Sequence, residues 1–207
     1  VLNYLLLLGW APEGEQEIFS LDEMIKIWDP ARISKSPAIF DPLKLRAINA
    51  AYIRALPAEE FRKLADPFID QAVHVQIDRD LLCANLQPRC EVLEDIPPQL
   101  DFFDAVLPID AEMYRNKKQK TTPESAKEAL SALLPVLEAQ TDWSRDAIFE
   151  ACKQKAEAME KKNGWLLYPL GIALSGKART PGGGTDLAAM MGKEETLRRL
   201  NAAIEAL

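Results

Sequence analysis

Asp41-Pro42-Leu43-Lys44-Leu45-Arg46-Ala47-Ile48-Asn49-Ala50-Ala51-Tyr52-Ile53-Arg54-Ala55-Leu56-Pro57 shows in one segment how this chain folds. Asp41 offers a carboxylate to the free amides of a first helical turn. Pro42 has the right φ for that turn and no N–H to leave unpaired. Leu45, Ile48, Tyr52 and Ile53 then recur at helical spacing, and Leu56-Pro57 reads as a joint.

The same signals recur outward from this segment. Upstream, residues 1–8 read as the end of a helix whose beginning is missing, stopped at Gly9. Pro12-Glu13-Gly14 is a turn. Ser20-Leu21-Asp22-Glu23 is a capping box, and its helix should run to about Trp28 and stop before Pro30. Downstream, short helices are predicted around residues 58–65, 67–75 and 79–86, with breaks at Pro88, Pro97-Pro98 and Pro108. The polar, basic stretch 116–122 reads as a second boundary. Thr122-Pro123-Glu124 opens a helix to about Ala139. Asp142 or Ser144 caps the next, expected to end near Asn163-Gly164. A brief helix over 165–175, a Gly/Pro loop over 176–184 and two helices flanking Gly192 complete the chain. No strand pattern and no internal repeat occur, so the predicted fold class is all-α.

Composition narrows the function. The 207 residues are 48% apolar and rich in Ala and Leu, and the 14 prolines lie mostly between periodic segments, which favours many short helices. A net charge of −7 argues against a general nucleic-acid binder and against a membrane surface. Any RNA role must rest on local basic patches. Cys83, Cys90 and Cys152 form no close pair, and with His74 as the one histidine a structural zinc site is not expected. An odd cysteine count without a framework fits a reducing cytoplasm. The opening apolar run is too short to span a bilayer and lacks the pattern of a signal peptide.

Isolated motifs are weak. Ile33-Ser34-Lys35-Ser36 looks like a lysine-bearing nucleotide loop, but no strand or Gly-rich cradle precedes it, so it reads as a polar turn. His74, among Val73, Val75 and Ile77, reads as packed, with no partner to make it a catalytic base. Lys117, Lys118 and Lys120 read either as a solvated linker or as phosphate contacts, and Lys161-Lys162 leaves the same choice open. Gly182-Gly183-Gly184 reads as a connector. Arg198-Arg199, on an amphipathic helix with Leu197, Leu200 and Ile204, reads as a solvent-facing pair.

Taken in order, however, four groups of segments resemble one family. Asn3-Tyr4-Leu5, Gly9-Trp10 and Glu17-Ile18-Phe19-Ser20 come first. Residues 33–41 with Lys44-Leu45, Asn49 and Tyr52-Ile53-Arg54 follow. Gln87-Pro88-Arg89 with Val92-Leu93 is third. Ala173-Leu174-Ser175-Gly176, Thr180-Pro181 and residues 192–200 are last. Their order and spacing across the whole chain resemble the C-terminal, tRNA-binding part of bacterial glutamyl-tRNA synthetases, which are class I aminoacyl-tRNA synthetases.

The resemblance implies three parts: a stem-contact helical region at 1–57, then two small helical bundles that bind the anticodon, at 58–120 and 121–207. It implies tRNA(Glu) as partner, no DNA and no membrane, a cytoplasmic location and a monomeric parent. It places the catalytic domain, with its ATP and Mg, upstream of Val1, so that no catalytic, cofactor or metal residue is expected in this chain. The tRNA-binding residues it implies are Arg89, Thr180, Pro181, Lys177, Arg179, Lys35, Lys44, Asn49, Lys117 and Lys118. In the family an arginine at the position of Arg89 goes with rejecting glutamine tRNA, whose third anticodon base differs. A guanidinium suits that task, because one well-placed base contact is worth roughly 1–3 kcal/mol of discrimination. Two departures matter. Gly171 stands where many members carry arginine, and Gly183-Gly184 where they carry a bulky apolar residue, so reading of the first two anticodon bases should be looser or should pass to Lys177 and Arg179. Two rival readings remain: another class I synthetase, such as the class I lysyl enzyme, or a helical protein-interaction module with no RNA role.

Overall fold

Buried Asn3 organises the first region from inside its helix, α1 (Leu2–Gly9). The protein is described over residues 1–207 by a computed structural model. Asn3 Nδ2 donates to the Glu17 carbonyl (2.7 Å), and its Oδ1 accepts from the Phe19 amide (2.8 Å) and the Tyr52 hydroxyl (2.9 Å). The Tyr52 hydroxyl also meets the Phe19 carbonyl, so α1, the segment at Phe19 and α3 share one polar knot. The predicted caps form. Ser20 and Glu23 exchange side-chain and backbone bonds at the start of α2 (Leu21–Ile27). Asp41 accepts from the amides of Leu43 (2.9 Å) and Lys44 (3.1 Å) to open α3 (Pro42–Ala55). The Asp41 amide donates to the Tyr4 hydroxyl (2.6 Å), closing α3 onto α1.

Past Pro57, α4 (Ala58–Ile69) runs straight through Pro67, where the sequence suggested two helices with a break. Phe61, Ala65 and Ile69 recur every four residues on its buried face, and that burial holds the last turn despite the amide Pro67 lacks. The helix α5 (Arg79–Leu86) has the predicted bounds, capped by Asp78. Between them His74 is exposed, not packed. Asp104 accepts from its backbone amide (2.7 Å), from that of Val75 (3.2 Å) and from its ring Nδ1.

The polar stretch read as a boundary, 116–122, contains a closed turn. Asn116 and Thr121 exchange backbone hydrogen bonds of 3.1 Å in both directions. Thr122 then caps α6 (Pro123–Ala139), and Ser144 caps α7 (Arg145–Ala158). The helix α7 ends five residues earlier than Asn163, because Glu160 takes a left-handed conformation (φ 54°) and the Lys161 amide bonds back to the Ala156 carbonyl (2.9 Å). Next come α8 (Asn163–Ser175), α9 (Gly184–Met191) and α10 (Lys193–Ala206). The fold is all-α, with ten α-helices, five short 3-10 helices and no strand. One hydrophobic cluster of 34 buried residues runs from Ile53 to Ala203. Tyr4, Trp10, Phe19, Met24 and Ile48 are buried outside it. No helix is long and apolar enough to cross a membrane.

Arg198 and Arg199 do not form a solvent-facing pair. Arg198 is exposed, whereas the Arg199 side chain is only 1% accessible. Successive helical residues are turned by about 100°, and Arg199 falls on the buried stripe of Thr196, Leu200 and Ala203. Its charge is met by Glu195. Arg198, and after it Arg199, hold the Glu195 carboxyl down from 4.5 to about 2. A carboxyl lowered on folding stabilises the native state above its unfolded pKa and loses that effect as pH falls towards its folded one. Stability should therefore drop as pH is lowered from about 4.5 to about 2. Urea titrations at a series of pH values should show Glu195→Gln with a flatter profile across this window than the parent.

Candidate nucleic-acid interface

The Gln87-Pro88-Arg89 turn follows directly on α5 as a single 3-10 turn. Gln87 Nε2 donates to the carbonyls of Ile53 (3.0 Å) and Leu56 (2.8 Å), so the end of α3 sets where the turn lies. Arg89 is exposed. Its Nη1 reaches the carbonyls of Thr180 (3.4 Å) and Pro181 (3.3 Å) in long, weak bonds. Nε and Nη2 make no hydrogen bond within the protein, so the exposed guanidinium keeps spare donors.

The opposite wall begins at the end of α8. Gly176 caps that helix at φ 68°, and a Cβ there would stand 2.8 Å from the Leu107 carbonyl oxygen, so only glycine fits. Ser175 Oγ accepts from the Lys177 amide (3.0 Å) and starts the loop. Lys177 Nζ turns back to the Pro98 carbonyl (2.8 Å) and to Asp101. Lys177 thus braces the wall, and the free cation of the loop is Arg179, which is exposed and makes no hydrogen bond or ion pair. Thr180 Oγ1 donates to the Gly182 carbonyl (2.6 Å).

These walls enclose an open cleft of about 650 Å³. Arg89, Lys177 and Arg179 line it, and no carboxylate does, although the chain carries a net charge of −7. Gln99 and Tyr168 also line it, and sequence reasoning named neither. Tyr168 donates its hydroxyl to the Met113 carbonyl (2.8 Å), leaving the ring as part of the floor. No periodicity or motif marked either residue, because what distinguishes them is only their position across the cleft.

Other expected residues lie elsewhere. Lys35 is on an exposed turn held by the bond from the Ser34 amide to the Gly9 carbonyl (2.8 Å). Lys44 pairs with Glu17 (2.7 Å), and Asn49 donates to the Glu91 carbonyl (2.7 Å), tying α3 to the next region. Lys117 and Lys118 are exposed at the tip of the closed turn, outside the cleft. The glycines form part of the scaffold. The α8–α9 crossing brings Gly184 against Gly171, and both line the cleft floor.

No cysteine lines the cleft. Burial raises the thiols of Cys83 and Cys90 to about 11 and that of Cys152 to about 12, so all three stay protonated near neutrality. No three His, Cys, Asp or Glu side chains come together to hold a metal. The arrangement can offer donors, a flat aromatic face and positive charge, which suits recognition of an anionic, base-bearing ligand.

An all-helical scaffold with such a cleft matches a known group: the chain belongs to the anticodon binding domain family, which matches residues 49–204. Along its whole length it is similar to glutamate–tRNA ligases. It is 44% identical over 207 residues to that of Clostridium botulinum and 44% over 208 residues to that of Clostridium acetobutylicum. In both cases all of this chain is covered, and it spans 43% of the relative. The structure of a glutamate tRNA ligase from Elizabethkingia meningosepticum in complex with its amino acid superposes with a TM-score of 0.82 at 28% identity, covering 100% of this chain and 40% of that one.

The glycine crossing yields a contrasting pair of variants. A Cβ on Gly184 would stand 2.8 Å from the Leu167 carbonyl oxygen and 3.0 Å from the Gly171 amide nitrogen, both rigid backbone. Gly184→Ala should cost about 1–3 kcal/mol by forcing the helices apart. A Cβ on Gly171 meets nothing closer than 3.7 Å. Gly171→Ala should stabilise by roughly 0.5–1 kcal/mol, since alanine is the better helix residue. Urea unfolding of the two variants measures both signs.

Proposed function

We propose that this chain is the tRNA-binding part of a glutamate–tRNA ligase, and that its cleft reads the anticodon of tRNA(Glu). The observation that carries this reading is the cleft itself. Arg89 reaches the carbonyls of Thr180 and Pro181, ninety-odd residues on, and with Thr180 lines a concavity that has three cations and no carboxylate. Anticodon bases are unstacked, so their edges are open to such donors and their faces to an aromatic ring. Arg89 acts as the discriminator, Arg179 meets a phosphate or base beside it, and Lys177 holds the wall that presents Thr180 and Pro181. Residues 1–57 contact the inner stem, with Lys35 and Lys44 facing phosphates. Residues 58–120 and 121–207 form the two halves of the anticodon-binding unit, and Lys117 and Lys118 approach the backbone nearby.

The rest of the ligase, a single-chain enzyme of the cytoplasm, would activate glutamate with ATP and Mg and transfer it to the tRNA. Residues 1–207 hold neither ligand in this reading. Lys35 lies on an exposed turn. Thirteen of the fifteen exposed large hydrophobic residues lie within positions 1–52, among them Ile25, Trp28, Ile39, Phe40 and Leu43. Exposed large apolar side chains concentrated in one region of a chain are a common mark of a surface that faces a partner. Here it would pack against the remainder of the ligase.

Filter binding tests the reading. Labelled tRNA(Glu) should bind with an affinity that falls log-linearly as salt rises. Unlabelled tRNA(Glu) should compete better than tRNA(Gln) or tRNA(Lys). Better competition by tRNA(Lys) favours a lysyl-type ligase, and absence of binding at low salt favours a protein-interaction module. Arg89→Gln should reduce the preference for tRNA(Glu) over tRNA(Gln) by about tenfold, the scale of one good base contact. An unchanged preference removes Arg89 from the role.

A further inference from the structure

Arg199 is a buried cation on α10 with four of its five N–H groups in use. Nη1 donates to the Phe102 carbonyl (2.7 Å) and to the Leu174 carbonyl (2.7 Å), Nη2 to the Phe103 carbonyl (2.7 Å) and Nε to Glu195 (2.5 Å). The carbonyls come from two distant stretches of chain. Phe102 and Phe103 belong to the segment that begins at the Arg89 turn. Leu174 is in the last turn of α8, where carbonyls lack helical partners and the helix dipole is negative. Two residues later, Gly176 starts the loop that carries Arg179, Thr180 and Pro181.

We propose that Arg199 is the positioning residue of the cleft: by bonding the Phe102–Phe103 carbonyls and the end of α8 through one planar group, it sets the spacing between Arg89 and the Thr180-Pro181 wall, and hence the choice among tRNAs. The proposal rests on the anticodon-reading function above. It concerns a residue outside the cleft that touches no RNA. The geometry needs a guanidinium. Nη1 alone spans the two stretches with its two hydrogens, and the plane fixes Nη2 on the third carbonyl. A lysine keeps the charge but offers one nitrogen, which cannot hold three carbonyls from the same place. The Lys177 bonds to Pro98 and Asp101 tie the residue after the α8 cap, whereas Arg199 bonds a carbonyl in the last turn of α8 itself.

The test compares Arg199→Lys, the partial variant Glu195→Gln, which removes the negative charge that Arg199 Nε meets, and the surface control Arg198→Lys. Amide hydrogen exchange by mass spectrometry reads the loop, and tRNA competition reads its use. Arg199→Lys should speed exchange about tenfold over residues 176–183 while peptides of α6 and α7 keep their protection, a local opening and not global loss of stability. It should also bring tRNA(Glu) and tRNA(Gln) affinities closer together by a similar factor. Glu195→Gln should do both to a smaller extent and Arg198→Lys neither. If Arg199→Lys does not fold, Glu195→Gln decides. Parent-like exchange over 176–183, or an unchanged tRNA preference in a variant whose loop has loosened, overturns the proposal. A parent chain that binds no tRNA instead overturns the functional reading, and that outcome is distinct.

Discussion

The cleft depends on a seam closed by cations aimed at backbone carbonyl oxygens. Arg199 and Lys177 each reach across from the C-terminal helices to the irregular stretch at residues 98–103. That stretch has few internal hydrogen bonds, so its carbonyls need partners when buried. A charged donor in a low-dielectric interior makes stronger bonds than an amide would, and the Glu195 carboxylate offsets the cost of burying Arg199. The Asp78 amide adds one more link, to the Met190 carbonyl (3.0 Å). Polar bonds therefore set the register between two stretches that the continuous hydrophobic cluster beneath them would hold together less specifically.

The seam also explains how an acidic chain keeps a positive cleft. Many carboxylates are already engaged in the fold. Glu23, Asp41, Asp78 and Asp186 cap helices, and Glu91 and Asp95 surround Arg46. Asp66, Asp70 and Asp80 likewise surround Arg62 and Arg79. Such exposed pairs add little stability individually, but they fix where negative charge sits, and none of it lines the cleft. Net charge describes steering at a distance, whereas recognition depends on the local field.

The sequence made the helices legible wherever a boundary has a local chemical cause. Asp41, Ser20, Thr122, Ser144, Gly176 and Gly192 mark the helix limits because capping and left-handed turns are decided within a few residues. It misled where burial outweighs a local rule. Pro67 sits inside α4 because three core residues hold that turn, and Glu160 rather than the expected glycine ends α7. Arg89 and Thr180 in the cleft, and Pro181 beside it, are legible only through family resemblance, since no spacing rule joins positions so far apart. Gln99 and Tyr168 carried no signal at all. Arg199 did carry one: its place on the Thr196–Ala203 stripe marks it as buried, but the adjacent Arg198 made the two look like a surface pair.

The central claim is that unstacked anticodon bases occupy the cleft lined by Arg89, Arg179, Thr180 and Tyr168. Chemical probing of base reactivity in tRNA(Glu), free and saturated with this chain, tests it most directly. The account predicts strong protection of the anticodon bases, the third included, with weaker changes along the inner stem. Bound tRNA whose anticodon bases remain as reactive as in free RNA would contradict it.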